Sequence, residues 1–212
     1  MIICIEGLDG VGKTTQCKLL AERLKAKLWK FPNTSDSPTG NLIYKWLDRE
    51  WQTVANANAP GGKREDERRE ALVFQALQLA NRMEVAHQLL EDASRGHVVI
   101  DRYWPSGYAY GQADGLDGEY LIKLHRWLPQ PDLFILLDGD PDLLDRRPGV
   151  KDRYEANPEH LRKVGRFYRQ LWQQMGGARW QVVDAAQPLD AVTASVMGVV
   201  AVARSEFGLG QA

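Results

Sequence analysis

Residues Gly7-Leu8-Asp9-Gly10-Val11-Gly12-Lys13-Thr14 constrain the fold of this chain more than any other stretch. They fit G-x-x-x-x-G-K-[ST], the phosphate-binding loop. Its glycines let the backbone curl so that several N–H groups point at one phosphate. The helix that follows aims its positive end at the same place. Lys13 adds a mobile charge for the β- and γ-phosphates, and the Thr14 hydroxyl can ligate Mg²⁺. The motif requires a strand before it and a helix after it. Ile2-Ile3-Cys4-Ile5 is an apolar run directly in front, and Leu19, Leu20 and Leu24 recur at helical spacing behind, over Thr15–Ala26.

The rest of the chain repeats that alternation. Lys27–Phe31 reads as a second strand closed by Pro32, and Asn33–Gly40 as a loop rich in Ser, Thr, Asp, Pro and Gly. Leu42, Ile43, Trp46 and Leu47 mark a helix, broken by Asn56–Gly62. Glu65–Arg95 contains no Pro or Gly and reads as one long helix stopped by Gly96. His97–Asp101, Leu133–Asp138 and Trp180–Asp184 are short apolar strands ending in an acid. Pro105–Gly118 is loop-like at both ends, and helices are expected over Glu119–Leu128, Asp140–Arg147, Pro158–Met175 and Leu189–Ala203. About five strands alternating with helices predict an α/β fold of the P-loop NTPase type: a three-layer α/β/α arrangement with a mostly parallel sheet covered on both faces. Ligands of such folds bind at the carboxyl ends of the strands. The phosphate loop, Asp101, Asp138 and Asp184 all fall there.

At 212 residues the chain is most simply one domain, 1–212. A net charge of −1 argues against a general polyanion-binding surface, so nucleic acid is not an expected partner. Cys4 and Cys17 fall in the first strand and first helix and suit buried thiols in a reducing compartment. No apolar run approaches the ~18 residues of a membrane span. A cytoplasmic protein without membrane contact is the expectation.

A phosphate loop specifies a nucleotide, not what is done with it. The chain has no N-K-x-D guanine-reading motif and no D-x-x-G after a second or third strand, which argues against a switch GTPase. Asp101-Arg102-Tyr103 instead ends a strand. An acid there can act on Mg²⁺ or its waters, and the arginine beside it can hold a second phosphate. Arg146, Arg147, Lys151 and Arg153 cluster around Pro148-Gly149. They read either as a solvated basic loop or as a mobile lid, approximately 146–156, that neutralises a phosphoryl group in transfer. The phosphate loop supplies only Lys13, since Gly10 and Val11 carry no charge. Phe74, Gln78 and Arg82 share one face of the long helix at i, i+4, i+8. They could stack on a base and read its edge. The alternative is that Phe74 is core and Arg82 a surface ion-pair partner.

Taken together the pattern resembles the thymidylate kinases, within the nucleoside monophosphate kinases. The resemblance rests on Glu6–Gln16, Phe31-Pro32, Ala80-Asn81-Arg82, Asp101-Arg102-Tyr103 with Ser106-Gly107 behind it, Pro131-Asp132-Leu133 leading to Leu137-Asp138, Asp152-Arg153-Tyr154-Glu155, and Val183-Asp184-Ala185. It implies ATP as phosphate donor, Mg²⁺ as cofactor and a deoxynucleoside monophosphate, first of all dTMP, as acceptor. Gly7, Gly10, Gly12, Lys13, Thr14 and Thr15 would bind the ATP phosphates. Arg146 would also lie on the ATP side, with Ala185 lining the adenine. Asp9 would contact the acceptor's sugar or phosphate through Mg²⁺ or water, and Asp101 and Arg102 would flank the acceptor phosphate and metal. Arg147 and Arg153 would act as lid arginines. Arg82 would read the thymine edge, while Tyr110 crowds the sugar against a 2′-hydroxyl. Phe31, Phe74, Gln78 and Gly107 would lie on the acceptor side, with Tyr154 and Glu155 on the acceptor side of the lid and Glu155 also near the metal. Family members are commonly homodimers paired through helices, which would suit Glu65–Arg95.

Two positions depart from the family. Thr34 stands where an arginine usually touches the acceptor phosphate, and Gln78 where a phenylalanine usually stacks on thymine. A 5-substituted deoxyuridylate, or another deoxypyrimidine monophosphate, is therefore an alternative acceptor. A non-catalytic nucleotide-binding switch is the alternative of a different class.

Overall fold

The structure is a computed structural model that describes residues 1–35, 37–48, 62–140 and 157–206. Arg146, Arg147, Lys151, Arg153, Tyr154 and Glu155, and with them the expected lid and the helix over 140–147, lie outside the described residues. The elements run β1 (Ile2–Gly7), α1 (Lys13–Leu24), β2 (Lys27–Lys30), α2 (Pro38–Leu47), α3 (Gly62–Glu84), α4 (Ala86–Arg95), β3 (Val98–Asp101), α5 (Trp104–Ala113), α6 (Gly118–Leu124), β4 (Leu133–Asp138), α7 (Pro158–Met175), β5 (Trp180–Asp184) and α8 (Leu189–Glu206).

The five strands form one parallel sheet in the order β2-β3-β1-β4-β5. β1 is buried along its whole length, as its unbroken apolar run requires of a central strand with helices on both faces. Chain order reverses across β1, because β1 leads on one side to β2 and β3 and on the other to β4 and β5. That is the switch point at which parallel sheets open a crevice. The pairing of Ile5 with Asp101, and of Gly7 with Leu137, brings the ends of β3, β1 and β4 level there. Gly7 has φ +142°, and a Cβ on it would come within 2.5 Å of the Leu137 carbonyl, so only glycine lets β1 leave the sheet at this point. At the other side of the sheet Phe134 and Trp180 stack at 4.0 Å, with Trp104 and Trp172 edge-on to Trp180. These rings lock β4 and β5 against α5 and α7.

Three expectations need correction. Pro105–Gly118 is not loop-like at its first end: α5 occupies Trp104–Ala113, with its proline in the first turn, where a missing N–H costs nothing. The long helix is two helices, α3 and α4. Val85 between them has φ −108° and ψ 4° and starts α4 by accepting Leu89 N–H on its carbonyl. The loop after Pro32 ends earlier than expected, because Ser37 caps α2 by accepting Gly40 N–H and Pro38 follows at the first position.

Candidate active site

The phosphate loop takes the form that its sequence requires. Gly10 and Gly12 have φ +82° and +95°, and Gly12 leads into α1 with no side chain capping the helix. The first amides of α1 are thus left to an anion. Lys13 is buried and donates its Nζ to the Leu8 carbonyl at 2.5 Å, which folds the ammonium over the loop. Burial, and then the charge of Arg102, pull its pKa down to about 8 against the pull of Asp9 and Asp101. Thr14 donates its hydroxyl to Asp101 Oδ2 at 2.6 Å, so the two expected metal-side oxygens meet. Thr15 is exposed one residue on. Ala185 donates its N–H to the Asp138 carbonyl, and Gly139 lies between it and Val11 of the loop. Ala185 therefore flanks the loop on its β4–β5 side.

A cavity of about 170 Å³ opens on the other side, between the carboxyl ends of β1–β3 and helices α2, α3 and α5. Its polar end holds Asp9, Arg102 and Tyr110. Arg102 Nη2 pairs with Asp9 Oδ1, and the Tyr110 hydroxyl donates to Asp9 Oδ2 at 2.8 Å. Burial raises the Asp9 pKa, but Arg102, Lys13 and Tyr110 outweigh it and hold the carboxyl well below the usual carboxylate range. Arg102 adopts φ +65°, an unusual conformation for a residue with a side chain. Its N–H donates to the Ile5 carbonyl, and that of Tyr103 to Glu6 Oε1 at 2.6 Å. These two bonds hold the turn so that the guanidinium faces the cavity.

Glu6 is the hub of this turn. It is fully buried and also accepts from the hydroxyls of Ser106, at 2.7 Å, and Tyr168, at 3.0 Å. Burial pushes its pKa up, and Ser106, Arg102, Tyr103 and Tyr168 pull back. Arg102 Nη1 donates to Ser106 Oγ at 3.2 Å, which ties the hub to the cavity.

The base end of the cavity carries Phe74, Gln78 and Arg82, with Phe31 and Gly107. Both readings of this stripe hold in part. Phe74 is core, stacked on Trp46 at 4.0 Å, and also a cavity wall. Arg82 is not a surface ion-pair residue: it is 2% exposed, donates to the Tyr103 carbonyl at 2.9 Å and lies 3.5 Å from His125 Nε2. Burial, with only partial relief from Glu6, lowers its pKa to about 10. His125 sits with Nδ1 2.8 Å from the Leu121 carbonyl. Burial, and then Arg82, lower its pKa to about 3, so it is neutral and offers Nε2 as an acceptor.

Asn81 clamps the cavity's outer rim. It accepts Asn33 N–H and donates to the Asn33 carbonyl and Ser37 Oγ, each at 2.8 Å. Thr34 is exposed beside this clamp, and the cations lining the cavity are Lys30, Arg82 and Arg102.

A phosphate loop on β1 faces a mixed polar and apolar cavity across Asp9 and Arg102, an arrangement with room for a ligand on each side of that pair. A family model described as thymidylate kinase matches residues 5–196. The chain belongs to the thymidylate kinase family. Similar thymidylate kinases include a probable one from Thermococcus onnurineus, 35% identical over 94% of this chain and 97% of its own, and one from Schizosaccharomyces pombe, 32% identical over 94% and 90%. The solved thymidylate kinase from Candida albicans, whose structure reveals the origin of a broad substrate specificity, superposes with a TM-score of 0.79. It is 27% identical, over 95% of this chain and 91% of that one. The sequence does not single out Tyr168, Gln75 or His125, and it offers Glu6 and Ser106 only as motif residues; in this member of the thymidylate kinase family they lie in or beside the cavity. Glu6 carried a signal, a glutamate inside an apolar strand. Gln75 and His125 carried none, since a polar residue on a helix is ordinarily solvated.

Proposed function

We propose that this chain transfers the γ-phosphoryl group of ATP to a deoxynucleoside monophosphate, with dTMP as the acceptor: ATP + dTMP → ADP + dTDP. A phosphate oxygen of dTMP forms the new P–O bond, and the bond from the γ-phosphorus to the bridging oxygen of ATP breaks, with ADP leaving. The observation that carries the reading is the Arg102–Asp9–Tyr110 group, which stands between the phosphate loop and a cavity walled by Phe74 and Arg82. The acceptor phosphate is already ionised at neutral pH, so no general base is required. Lys13 and the loop amides hold the donor phosphates, and Arg102 positions the acceptor phosphate. Lys30, which also lines the cavity, is a second cation for that phosphate where Thr34 offers none.

Among the described residues no cluster of three or more His, Cys, Asp or Glu side chains could hold a metal alone. Thr14 and Asp101 fit Mg²⁺, which takes one or two hard protein oxygens and fills its remaining positions with phosphate and water. When bound, the ion neutralises charge on the β- and γ-phosphates. Arg146, Arg147 and Arg153 would add charge from the lid. Tyr110, against Asp9, favours a deoxyribose. Leu72, Met83 and Leu90 are exposed apolar residues on α3 and α4 and support a homodimer paired through these helices. The two buried free cysteines suit the cytoplasm, and the one sheet and its continuous core support a single domain.

A coupled ADP-release assay over ribo- and deoxynucleoside monophosphates, including 5-substituted deoxyuridylates, tests the reading. ADP should appear only with a monophosphate present, fastest with dTMP, and Lys13→Ala should lose transfer. Slow ATP hydrolysis that ignores every monophosphate would identify a nucleotide switch instead.

A further inference from the structure

Gln75 lies on α3, 1% exposed, and lines the cavity beside Gln78 and Arg82. Both its side-chain Oε1 and Nε2 are buried without a hydrogen-bond partner. A carboxamide so placed forgoes the bonds that water would give it, which folded proteins rarely tolerate. Its neighbour Asn81 shows the ordinary outcome on the same helix, with its oxygen and nitrogen both bonded. Packing does not push Gln75 away from the cavity. A Cβ on Gly107 would come within 2.9 Å of Gln75 Oε1 and 3.2 Å of His125 Nε2, and one on Gly111 within 3.4 Å of Gln75 Nε2. The two glycines make the notch in which the amide sits. Arg82, two turns on, reaches back toward it, since helical side chains lean toward the N-terminus. Arg82 Nε is a further buried donor without a partner. Three unpartnered polar atoms thus gather at the base end of one cavity.

We propose that Gln75 is a substrate-binding residue whose carboxamide hydrogen-bonds the base of the acceptor nucleotide. The inference rests on the kinase reading above and deepens it. Arginine only donates, so Arg82 fits a carbonyl oxygen of the base. A carboxamide also accepts, so Gln75 fits the ring N–H beside that carbonyl. The two together match the imide edge of a 4-oxopyrimidine, O4 as acceptor and N3–H as donor, which thymine and 5-substituted uracils share. Gln75 therefore selects for the imide and leaves the 5-substituent free to vary.

The test uses the full chain, wild type and Gln75→Leu, with dTMP and with its N3-methyl analogue, in which a methyl group replaces the N3–H donor and O4 stays a carbonyl. In the wild type the analogue should lose about tenfold in kcat/KM, the worth of one hydrogen bond of about 1.4 kcal/mol. Gln75→Leu should lose about tenfold on dTMP and nothing further on the analogue. The KM for ATP should hold within about twofold, and the melting temperature should stay level or rise, because an unpartnered amide has been removed. Equal discrimination by both proteins overturns the proposal, and so does a common loss on both acceptors with a lowered melting temperature, which marks a packing role. Gln75→Met, closer in shape, repeats the comparison should the leucine variant not fold. If the wild type turns over no dTMP, the kinase reading falls by itself. Gln75 is then judged by direct binding of the two nucleotides, with the same pattern required.

Discussion

Nucleotide affinity should fall with rising pH from about pH 8, and Lys13 should be the cause. Its side chain is 5% exposed, donates to the Leu8 carbonyl at 2.5 Å and lies 3.8 Å from the Asp9 carboxylate. Burial and Arg102 bring its pKa to about 8, whereas a free lysine titrates near about 10.4. A bound polyphosphate favours the ammonium and returns that pKa to its free value or higher. The observed affinity then follows the protonated fraction of the free protein. The loss relative to neutral pH is about twofold at pH 8, about tenfold at pH 9 and about thirtyfold at pH 9.5. Phosphate ionisation, with a last pKa near about 6, adds no slope in this range. Calorimetric titration with ADP in two buffers of different ionisation enthalpy should report uptake of about half a proton at pH 8 and about 0.9 at pH 9. Lys13→Arg keeps its charge at every accessible pH and should flatten the profile. The same group bears on folding. Between about pH 8 and about 10.4 the unfolded chain holds a proton that the folded chain has released, so stability rises with pH across that window, by about 3 kcal/mol at most. An affinity level from pH 7 to 9.5, or an equal slope in Lys13→Arg, would refute the reasoning.

Glu6→Ala should cost about 3–5 kcal/mol in urea unfolding, because it takes the acceptor from the Tyr103 N–H, leaves the Ser106 and Tyr168 hydroxyls only each other, and removes the carboxylate that faces Arg102, and Glu6→Gln should cost less, its amide oxygen still accepting. Asp9→Asn should lower kcat about a hundredfold by releasing Arg102. It should also flatten the loss of stability in acid, because the depressed pKa of Asp9 contributes stability above about pH 4 that is lost as pH falls; initial rates read the first effect and thermal melts of both proteins from about pH 2 to 6 the second. Asn81→Ala should cost about 2–3 kcal/mol and raise the KM for the acceptor more than that for ATP, since it frees the Asn33–Ser37 rim.

Much of this architecture is legible in the residues because its strands are buried on both faces. Ile2–Ile5 and Leu133–Leu137 can be little else, and the acids after β3 and β4 mark their carboxyl ends. The phosphate loop then orients everything else. Helix α5 was hidden because Gly107, Gly111 and Pro105 are residues of loops by local preference. Here tertiary packing uses the glycines for close approach and the proline as a first turn. The break at Val85 has no breaker residue and depends on the packing of α4. Arg82 was ambiguous because burial of a guanidinium is a tertiary fact, visible only once Tyr103 and His125 surround it. Gln75 was silent because an amide that lacks partners looks, in a sequence, like any other surface glutamine.

Gly107 and Gly111 set how closely α5 approaches α3 and α6, with Gln75, His125 and Leu121 filling the space that their missing side chains leave. The width of the cavity is therefore a matter of helix spacing, fixed from the α5 wall and not from the α3 residues proposed to read the base. Substitutions on α3 would re-rank acceptors by the chemistry of their bases. A methyl group added at Gly111, meeting Leu121 Cδ1 at 2.9 Å, would instead push the helices apart and loosen the grip on all acceptors alike. If Gln75 and Arg82 read the base as proposed, choice of base lies with α3 and tightness of hold with the glycines of α5, so each can change without the other.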